Sequence, residues 1–122
     1  MNLFITLAAI NAFLAVALGA FGAHGLEGRV SERMIEIWKT GVTYQMFHAG
    51  GLFVVALLME RFNSTGLLNG AGWSFLIGLI LFSGSLYILT LSGIKILGAI
   101  TPLGGVAFLI GWVLIIVAAV KG

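Results

Sequence analysis

The chain lacks cysteine, contains one proline, and carries few charges: only 8% of its 122 residues are charged. Without cysteine the chain cannot form a disulfide, a thiolate metal site or a redox dithiol. A soluble domain carries roughly 25% charged residues. Because so few charged side chains are present, a water-soluble fold of this length could not cover its apolar surface. The absences therefore argue against a soluble domain.

What the chain has instead is hydrophobic sequence, which makes up 61% of its residues. Apolar runs of about 20 residues are long enough to cross a hydrocarbon core of about 30 Å as helices. Backbone groups must be paired inside lipid, and the runs lack the alternation of barrel strands. We predict an all-α polytopic membrane protein, a single four-transmembrane-helix bundle over residues 1–122. The four helices are expected at residues 3–23, 41–59, 71–91 and 102–121.

The first apolar run differs from a cleaved signal peptide. No Lys or Arg precedes it, and its apolar core exceeds the 7 to 15 residues or so of a signal-peptide core. We therefore expect this run to be retained as the first spanning helix.

The connection between the first two helices is the only segment rich in charge. Ser31 can cap a helix whose first turn carries Glu32, and apolar residues including Trp38 recur at helical spacing. We predict a short amphipathic segment over residues 31–40, with Trp38 at the depth of the lipid headgroups. It is expected to bend into the second span near Gly41, because one straight helix would be longer than the hydrocarbon core.

The other connections are short. Residues 60–70 contain a polar turn and are predicted to be a loop. Gly93 and Lys95 mark the end of the third helix, while Thr101 and Pro102 supply an N-cap and a first helical residue. The fourth helix is therefore expected to begin near Pro102, which leaves residues 96–100 as an apolar loop.

The distribution of basic residues predicts the orientation of the bundle. Arg29, Arg33, Lys39 and Lys95 lie in the first and third loops, against Arg61 and Lys121 on the opposite side. The positive-inside rule then places the first and third loops in the cytoplasm and both termini outside. Six scattered basic residues form no patch for nucleic acid, so we expect no nucleic-acid partner.

Small residues recur along three of the helices and predict where the helices pack. Inside lipid there is little hydrophobic force between helices, so the helices associate through close contact over small residues. We expect these faces to form the inside of the bundle or a contact between protomers. Asn11 lies among them and needs a partner, which Ser83, Ser85, Tyr87 or a backbone group can supply; a role in passing a polar substrate is the alternative. The predicted packing residues are Asn11, Ala15, Gly19, Gly78, Ser85, Gly104 and Gly111.

Two histidines are the candidates for chemistry, because ionisable residues within a membrane are often functional. In an up-and-down bundle, the end of the first helix, the start of the second, the end of the third and the start of the fourth share one side of the membrane. Side chains from these places can then converge in a polar cluster. The cluster residues are His24, Tyr44, His48, Tyr87 and Thr101.

Three interpretations of the histidines stay open: hydrogen-bonded structural residues, transfer of a proton or polar solute, and a haem held by His24 and His48. A metal site would need three or four ligands, more than the apolar runs provide. The sequence also lacks paired carboxylates, a nucleophile with its base, and a phosphate-binding loop. We therefore expect neither an enzyme nor a bound cofactor.

Several ordered motifs together resemble a known family. They are Gly19 to Leu26, Tyr44-Gln45 with His48-Ala49, Phe82 to Tyr87, Gly98 to Gly105, and Gly111-Trp112. Across essentially the whole chain they are similar to the YgdD/YwdK-type family of small bacterial membrane proteins, a domain-of-unknown-function family with multi-spanning vertebrate relatives. The resemblance implies a four-helix protein of the bacterial cell (inner) membrane. It supplies no catalytic residues.

The sequence thus favours a non-enzymatic scaffold or accessory bundle that self-associates through its Gly and Ala faces. The alternative is a small transporter, channel or lipid-handling protein that uses the His and Tyr cluster near one leaflet. A bis-histidine haem electron carrier is a third hypothesis. The expected partners are membrane lipids, a second copy of the chain, or an unidentified membrane protein.

Overall fold

Four helical spans make up the protein. The computed structural model describes residues 2–121, and within this range it contains helices and no strand. The spans that are long and apolar enough to cross a membrane are Leu3–Gly22, Glu32–Arg61, Thr65–Ser92 and Lys95–Lys121. The predicted fold class, an all-α membrane bundle of four helices, is confirmed.

The first two helices form an antiparallel pair. Helix α1 covers Asn2–Gly25 and α2 covers Glu32–Arg61. The loop between them turns at Gly28, whose φ of 78° is the left-handed conformation that glycine adopts readily. Ser31 caps α2 as the sequence predicts, because its side chain accepts a hydrogen bond of 3.2 Å from the backbone N–H of Met34.

Helix α2 runs unbroken for 30 residues through Gly41, where the sequence predicts a bend. At 1.5 Å per residue it is about 45 Å long. Gly41 serves close packing instead: a Cβ there would lie 2.8 Å from the Tyr87 ring. The Ser83 hydroxyl also donates to the Gly41 carbonyl at 2.8 Å, which holds the third span against α2.

The segment 31–40 is the beginning of α2 and not a separate interfacial segment. Trp38 is buried between helices, with 2% of its surface exposed, and its position at headgroup depth stays a prediction. Its ring Nε1–H donates to the Leu18 carbonyl at 2.8 Å. Gly22 makes room for the ring, because a Cβ at that position would clash with it. The aromatic side chain thus anchors α1 to α2.

The third span begins earlier than the sequence suggested. Helix α3 covers Thr65–Gly78, so the predicted loop over 60–70 shrinks to a short turn around residues 62–64. Leu68 explains the difference: it is fully buried in the core, and its N–H bonds to the Ser64 carbonyl within the first helical turn. A π-helix, Leu79–Gly84, follows α3 directly. Helix α4, Ser85–Ser92, then ends at Gly93, whose φ is 73°.

The fourth helix begins where the sequence predicts, but the residues before it differ from the prediction. Lys95–Ala99 forms a 3₁₀-helix where an apolar loop was expected, with an N–H···O bond from Leu97 to Ile94. Helix α5, Thr101–Lys121, follows with Pro102 in its first turn. Backbone N–H and C=O groups must be hydrogen-bonded inside lipid, and the 3₁₀ turn pairs backbone groups of this segment.

Helix α2 lies in the middle of the bundle and packs against α1 on one side and the third span on the other. The third span in turn packs along α5. The buried core lies where these elements meet, and it contains Phe4, Ala8, Leu52, Val55, Ala56, Leu68, Ala71, Phe75, Leu79, Phe108 and Ala118.

Small residues seven positions apart, Ala71 and Gly78 on the third span and Gly104 and Gly111 on α5, bring these two elements together. A Cβ on Gly111 would clash with the Phe75 ring and would lie 3.3 Å from the Ala71 carbonyl. One heptad along, a Cβ on Gly78 would clash with Phe108 and lie 3.1 Å from the Gly104 carbonyl. These contacts lie inside one protomer, which is the first of the two alternatives that the sequence left open.

Candidate functional site

A cavity of about 700 Å³ opens between α2 and α5, beside the π-helix. None of the residues that line it carries a formal charge. Phe47 and Leu109 lie on its walls with 64% and 66% of their surfaces exposed, so the cavity is open to the side and not sealed. The lining residues are Thr43, Tyr44, Phe47, His48, Phe82, Pro102, Gly105, Val106, Phe108, Leu109 and Trp112.

His48 lies at the inner wall of this cavity, and only 3% of its surface is exposed. Its Nδ1 lies 3.0 Å from the Tyr44 carbonyl oxygen, and its Nε2 lies 3.0 Å from Trp112 Nε1. A carbonyl can only accept and an indole N–H can only donate. The partners therefore fix the neutral tautomer, in which Nδ1–H donates to Tyr44 and Nε2 accepts from Trp112. Both ring nitrogens are satisfied by the protein.

Aromatic rings surround this histidine. The Phe108 ring stacks on the imidazole with centroids 3.6 Å apart and an angle of 9° between the planes. Tyr44 packs against Phe82 at 4.4 Å, and Trp112 packs against Phe75 at 4.7 Å. Such stacked and tilted pairs make a stiff wall, because each ring fixes the orientation of the next.

The π-helix places Phe82 in this wall. A Cβ on Gly104 would clash with the backbone nitrogen of Phe82, so α5 approaches the π-helix backbone to backbone. π-Helices are rare and occur frequently at functional sites. Here the wider turn of the third span lies directly beside the cavity.

The cavity extends from the start of α5 towards the middle of the membrane span. Pro102 and Trp112, both lining residues, are ten positions apart on one helix. At 1.5 Å per residue this separation is about 15 Å, or half of a hydrocarbon core of about 30 Å. The cavity is thus about as long as one leaflet of the hydrocarbon core is deep.

The five residues of the predicted polar cluster do not converge. Tyr44 and His48 lie together in the cavity, with ring centroids 6.2 Å apart. Thr101 instead contacts Ser85, where the two hydroxyl oxygens are 2.6 Å apart. His24 is exposed near the C-terminal end of α1. The cluster does not form because successive positions on an α-helix point about 100° apart. Residues near the same end of the bundle can therefore face different neighbouring helices.

Tyr87, the remaining member, belongs to a separate hydrogen-bonded network that crosses three helices. Its hydroxyl donates to Gln45 Oε1 at 2.7 Å, and Gln45 Nε2 donates to Asn11 Oδ1 at 3.0 Å. Asn11 Nδ2 completes the network by donating to the Leu7 carbonyl at 2.9 Å. Asn11 was expected to bind Ser83, Ser85, Tyr87 or a backbone group; it binds a backbone carbonyl and Gln45, and reaches Tyr87 only through Gln45.

The haem hypothesis requires a free nitrogen on each of two facing histidines. His48 uses both of its nitrogens, and His24 is exposed near the C-terminal end of α1, a helix that contributes no residue to the cavity lining. The geometry thus gives no support to an axial pair. Among residues 2–121, no group of three His, Cys, Asp or Glu side chains is placed to hold a metal ion.

The predicted packing residues lie within the protomer. Ala15 is fully buried, and a Cβ on Gly19 would contact Val42 of α2 at 3.4 Å. Gly78, Gly104 and Gly111 join the third span to α5 as described above, and Ser85 contacts Thr101 at the same interface. These faces are not available to a second copy of the chain.

The sequence did not identify most of the residues that complete the cavity and the hydrogen-bonded network of Tyr87, Gln45 and Asn11. Gln45 is the only glutamine in the chain, and a lone amide in an apolar run needs a partner such as Asn11, the amide in the first apolar run. Trp112 has an N–H that must find an acceptor inside the bundle, and His48 is the one imidazole in an apolar run. Phe82 and Phe108 gave no such indication, because phenylalanine occurs throughout the spans.

Comparison with known proteins agrees with the fold and with the motifs. A family model described as "Protein of unknown function (DUF423)" matches residues 18–105. The UPF0382 membrane protein YwdK of Bacillus subtilis (strain 168) is 60% identical over 121 residues, which cover 99% of this chain and 98% of the relative. UPF0382 membrane protein SERP0230 of Staphylococcus epidermidis is 50% identical over 121 residues, with the same coverage.

UPF0382 membrane protein SAB0533 of Staphylococcus aureus (strain bovine RF122 / ET3-1) is 49% identical over 121 residues, 99% of this chain and 98% of the relative. No solved structure matches the chain significantly. The resemblance drawn from the sequence motifs is confirmed: this chain belongs to the DUF423 family, whose members in these bacteria are described as membrane proteins.

Proposed function

We propose that this protein is a non-enzymatic, lipid-handling bundle that holds the apolar part of a membrane-soluble ligand in the cavity between α2 and α5. The observation that carries the proposal is the lining of the cavity, which is uncharged, largely aromatic and open towards the side of the bundle. Ligand sites are concave, mostly apolar and usually between 300 and 1,000 Å³ or so, and the cavity of about 700 Å³ fits that range.

The position of the cavity determines which molecules can reach it. Its exposed walls, at Phe47, Val106 and Leu109, belong to spans whose outer surfaces face lipid. A ligand therefore enters from the bilayer, where acyl chains are the most abundant apolar groups. Because the lining has no charge, an ionised group would be desolvated there without a counter-charge, which favours a neutral or apolar occupant.

Transfer of a proton through His48 is a less suitable function for this geometry. Protonation of Nε2 would remove the acceptor of the Trp112 N–H, and that N–H has no other recorded partner within the described residues. The histidine and tryptophan therefore act as a fixed part of the wall. This arrangement agrees with the hydrogen-bonded structural role among the three interpretations.

Self-association, as a scaffold or as an accessory to an unidentified membrane protein, stays a prediction. The Gly and Ala faces named for it are used inside the protomer, so a second chain would have to bind elsewhere. The outer face of α1 is one such surface, where Phe13 and Val16 are 72% and 65% exposed. Location in the bacterial cell (inner) membrane, with both termini outside, likewise belongs to this proposal.

A photoreactive lipid tests the function. The protein is reconstituted into phosphatidylcholine nanodiscs that contain a phospholipid with a diazirine in one acyl chain, and the labelled residues are mapped by mass spectrometry. We expect adducts to concentrate on cavity residues such as Phe47 and Leu109, above those on equally exposed residues such as Phe13. An even distribution over all lipid-facing residues would contradict the proposal.

Two glycine variants provide the matched control. A Cβ on Gly105 meets nothing within 4 Å, so Gly105→Leu fills the cavity without a clash in the backbone. Gly50 of α2 is equally free of neighbours but lies outside the cavity. Cavity labelling should fall severalfold in Gly105→Leu and stay unchanged in Gly50→Leu. Equal labelling in both variants would show that the lipid was never inside the cavity.

A further inference from the structure

An unusually large share of the residues that line the cavity carry an aromatic ring. Six of its eleven lining residues carry an aromatic ring, counting His48, whereas Phe, Trp and Tyr make up 11% of the whole chain. Aliphatic side chains would serve equally well for a flexible acyl chain. Aromatic side chains instead prefer offset or edge contacts with another ring. The composition of the wall therefore favours a ligand that contains a planar ring.

The hydroxyl of Tyr44 is the second observation. Of the two tyrosines, Tyr87 donates to Gln45, but no hydrogen bond is recorded for the Tyr44 hydroxyl within residues 2–121. Tyr44 lies five residues beyond Lys39, the last charged residue before the apolar part of α2, or about 7 Å along the helix. Tyr44 is 41% exposed and lines the cavity, so its hydroxyl is free to bind a ligand there.

The polar atoms that remain available in the cavity define what the ligand must offer. His48 and Trp112 bind each other, so neither can bind a ligand without losing that bond. What remains is the Tyr44 hydroxyl, with the Thr43 hydroxyl beside it on the next position of α2. Both can donate to a neutral oxygen acceptor such as a carbonyl, and no cation is present to bind a phosphate or a carboxylate.

From these observations we infer that the cavity binds a prenylated quinone, a membrane-soluble molecule with a planar ring that carries carbonyl oxygens. The ring lies between the aromatic walls, and one carbonyl oxygen accepts a hydrogen bond from Tyr44. The apolar tail leaves past Leu109 and Phe47 into the bilayer, where the cavity is open. This inference rests on the proposed function of the cavity and names the ligand class for it.

Competition against the photoreactive lipid tests the inference. The competitors are decylubiquinone, which has the ring and the carbonyls, and decylbenzene, which has a ring and a tail of equal length but no carbonyl. We expect decylubiquinone to displace the lipid from the cavity residues at a clearly lower mole fraction than decylbenzene. Because the two competitors have tails of equal length, their tails partition into the membrane to nearly the same extent. The difference between the mole fractions needed for displacement therefore reports the ring oxygens.

Removal of one hydroxyl tests the role of Tyr44. Tyr44→Phe keeps the ring and should raise the mole fraction of decylubiquinone needed for half displacement about three- to tenfold, the value of one hydrogen bond. The fraction needed for decylbenzene should not change. Tyr87→Phe removes the other tyrosine hydroxyl, which lies outside the cavity, and should leave both competitors unaffected.

The possible outcomes separate the two proposals. Enriched cavity labelling with equal displacement by both competitors would overturn the quinone and leave a site for apolar chains. Absence of enriched labelling in the wild-type chain would overturn the proposed function together with the inference. Because the chain has no cysteine, a disulfide between two copies of a Leu109→Cys variant would assign the cavity to a protomer contact and would also overturn both.

Discussion

At the scale of single residues, two neighbouring glycines have opposite roles. A side chain on Gly104 would meet the backbone nitrogen of Phe82, which belongs to the π-helix and cannot move without its helix. A side chain on Gly105 would meet nothing within 4 Å and would project into the cavity. The first glycine permits the contact between α5 and the third span, whereas the second keeps space open for a ligand.

We expect Gly104→Ala to lower the free energy of unfolding by about 1 to 3 kcal/mol, the usual cost of overpacking a well-packed contact. Gly105→Ala should leave it unchanged or raise it by up to about 1 kcal/mol, because alanine is the better helix former. Reversible unfolding in mixed micelles, followed by circular dichroism, gives both values. Equal effects of the two variants would show that α5 does not approach the π-helix so closely.

The candidate residues themselves show what sequence can predict at this scale. His48 could be selected because an imidazole in an apolar run is unusual. Its tautomer could not be predicted, since it depends on the Trp112 N–H, which is 64 positions away in the sequence. Tyr44 could be selected because it lies near the start of the second helix, four residues before His48, and the structure places both in one cavity.

At the scale of helices, the network of Tyr87, Gln45 and Asn11 connects α4, α2 and α1. Gln45 is its centre, because it accepts from Tyr87 with one atom of its amide and donates to Asn11 with the other. Removal of the central amide leaves polar groups on both neighbouring helices without a partner. Removal of the Tyr87 hydroxyl leaves only one acceptor unsatisfied.

We therefore expect Gln45→Leu to destabilise the bundle by about 1 to 3 kcal/mol, against about 0.6 kcal/mol for Tyr87→Phe, a typical value for a hydrogen bond between membrane helices. The double variant should cost less than the sum of the two single variants, because both remove the same bond. A double-mutant cycle of unfolding free energies measures this. Strict additivity would contradict the bond between the two residues.

The helix boundaries show where sequence patterns fail at this scale. The sequence predicts a bend near Gly41 because one straight helix would be longer than the hydrocarbon core, but α2 is continuous there and Tyr87 and Ser83 pack against it. Residues 60–70 predict a loop because they contain a polar turn, but burial of Leu68 extends the third span back to Thr65. In both cases a contact with a distant part of the chain overrides the local preference.

At the scale of the whole molecule, the four antiparallel spans put the connections after α1 and before α5 on one side of the membrane. The turn between α2 and α3 lies on the other side. Four basic residues near the first side and two near the second predict which side is cytoplasmic.

Because the chain has no cysteine, single cysteines report the orientation without a background. We expect Asn63→Cys, in the turn between α2 and α3, to react with a membrane-impermeant maleimide on intact cells. Glu27→Cys, in the loop after α1, should react only after the membrane is permeabilised. Both residues are exposed in the structure, so accessibility on the protein itself does not limit the reaction. The reverse pattern would invert the predicted orientation.

The number of spans could be predicted from sequence because each apolar run is by itself long enough to cross the bilayer. The cavity could not, because it depends on the distance between α2 and α5, which are not neighbours along the chain. The π-helix could not be predicted either, since the apolar composition of residues 79–84 is the same as that of the helices around it.

The π-helix also gives the third span one place where its length can change. A π-turn accommodates an additional residue relative to an α-helix, so deletion of one residue from 79–84 would restore regular α-helical winding. Because the wider turn already absorbs that residue, the helix after the deletion would keep nearly its present rotation, with Tyr87 still facing Gln45 and Ser85 facing Thr101. The same deletion from α3 would rotate everything after it by about 100° about the helix axis and break both contacts. An alignment gap in the third span would thus be tolerated within 79–84 and disruptive before it.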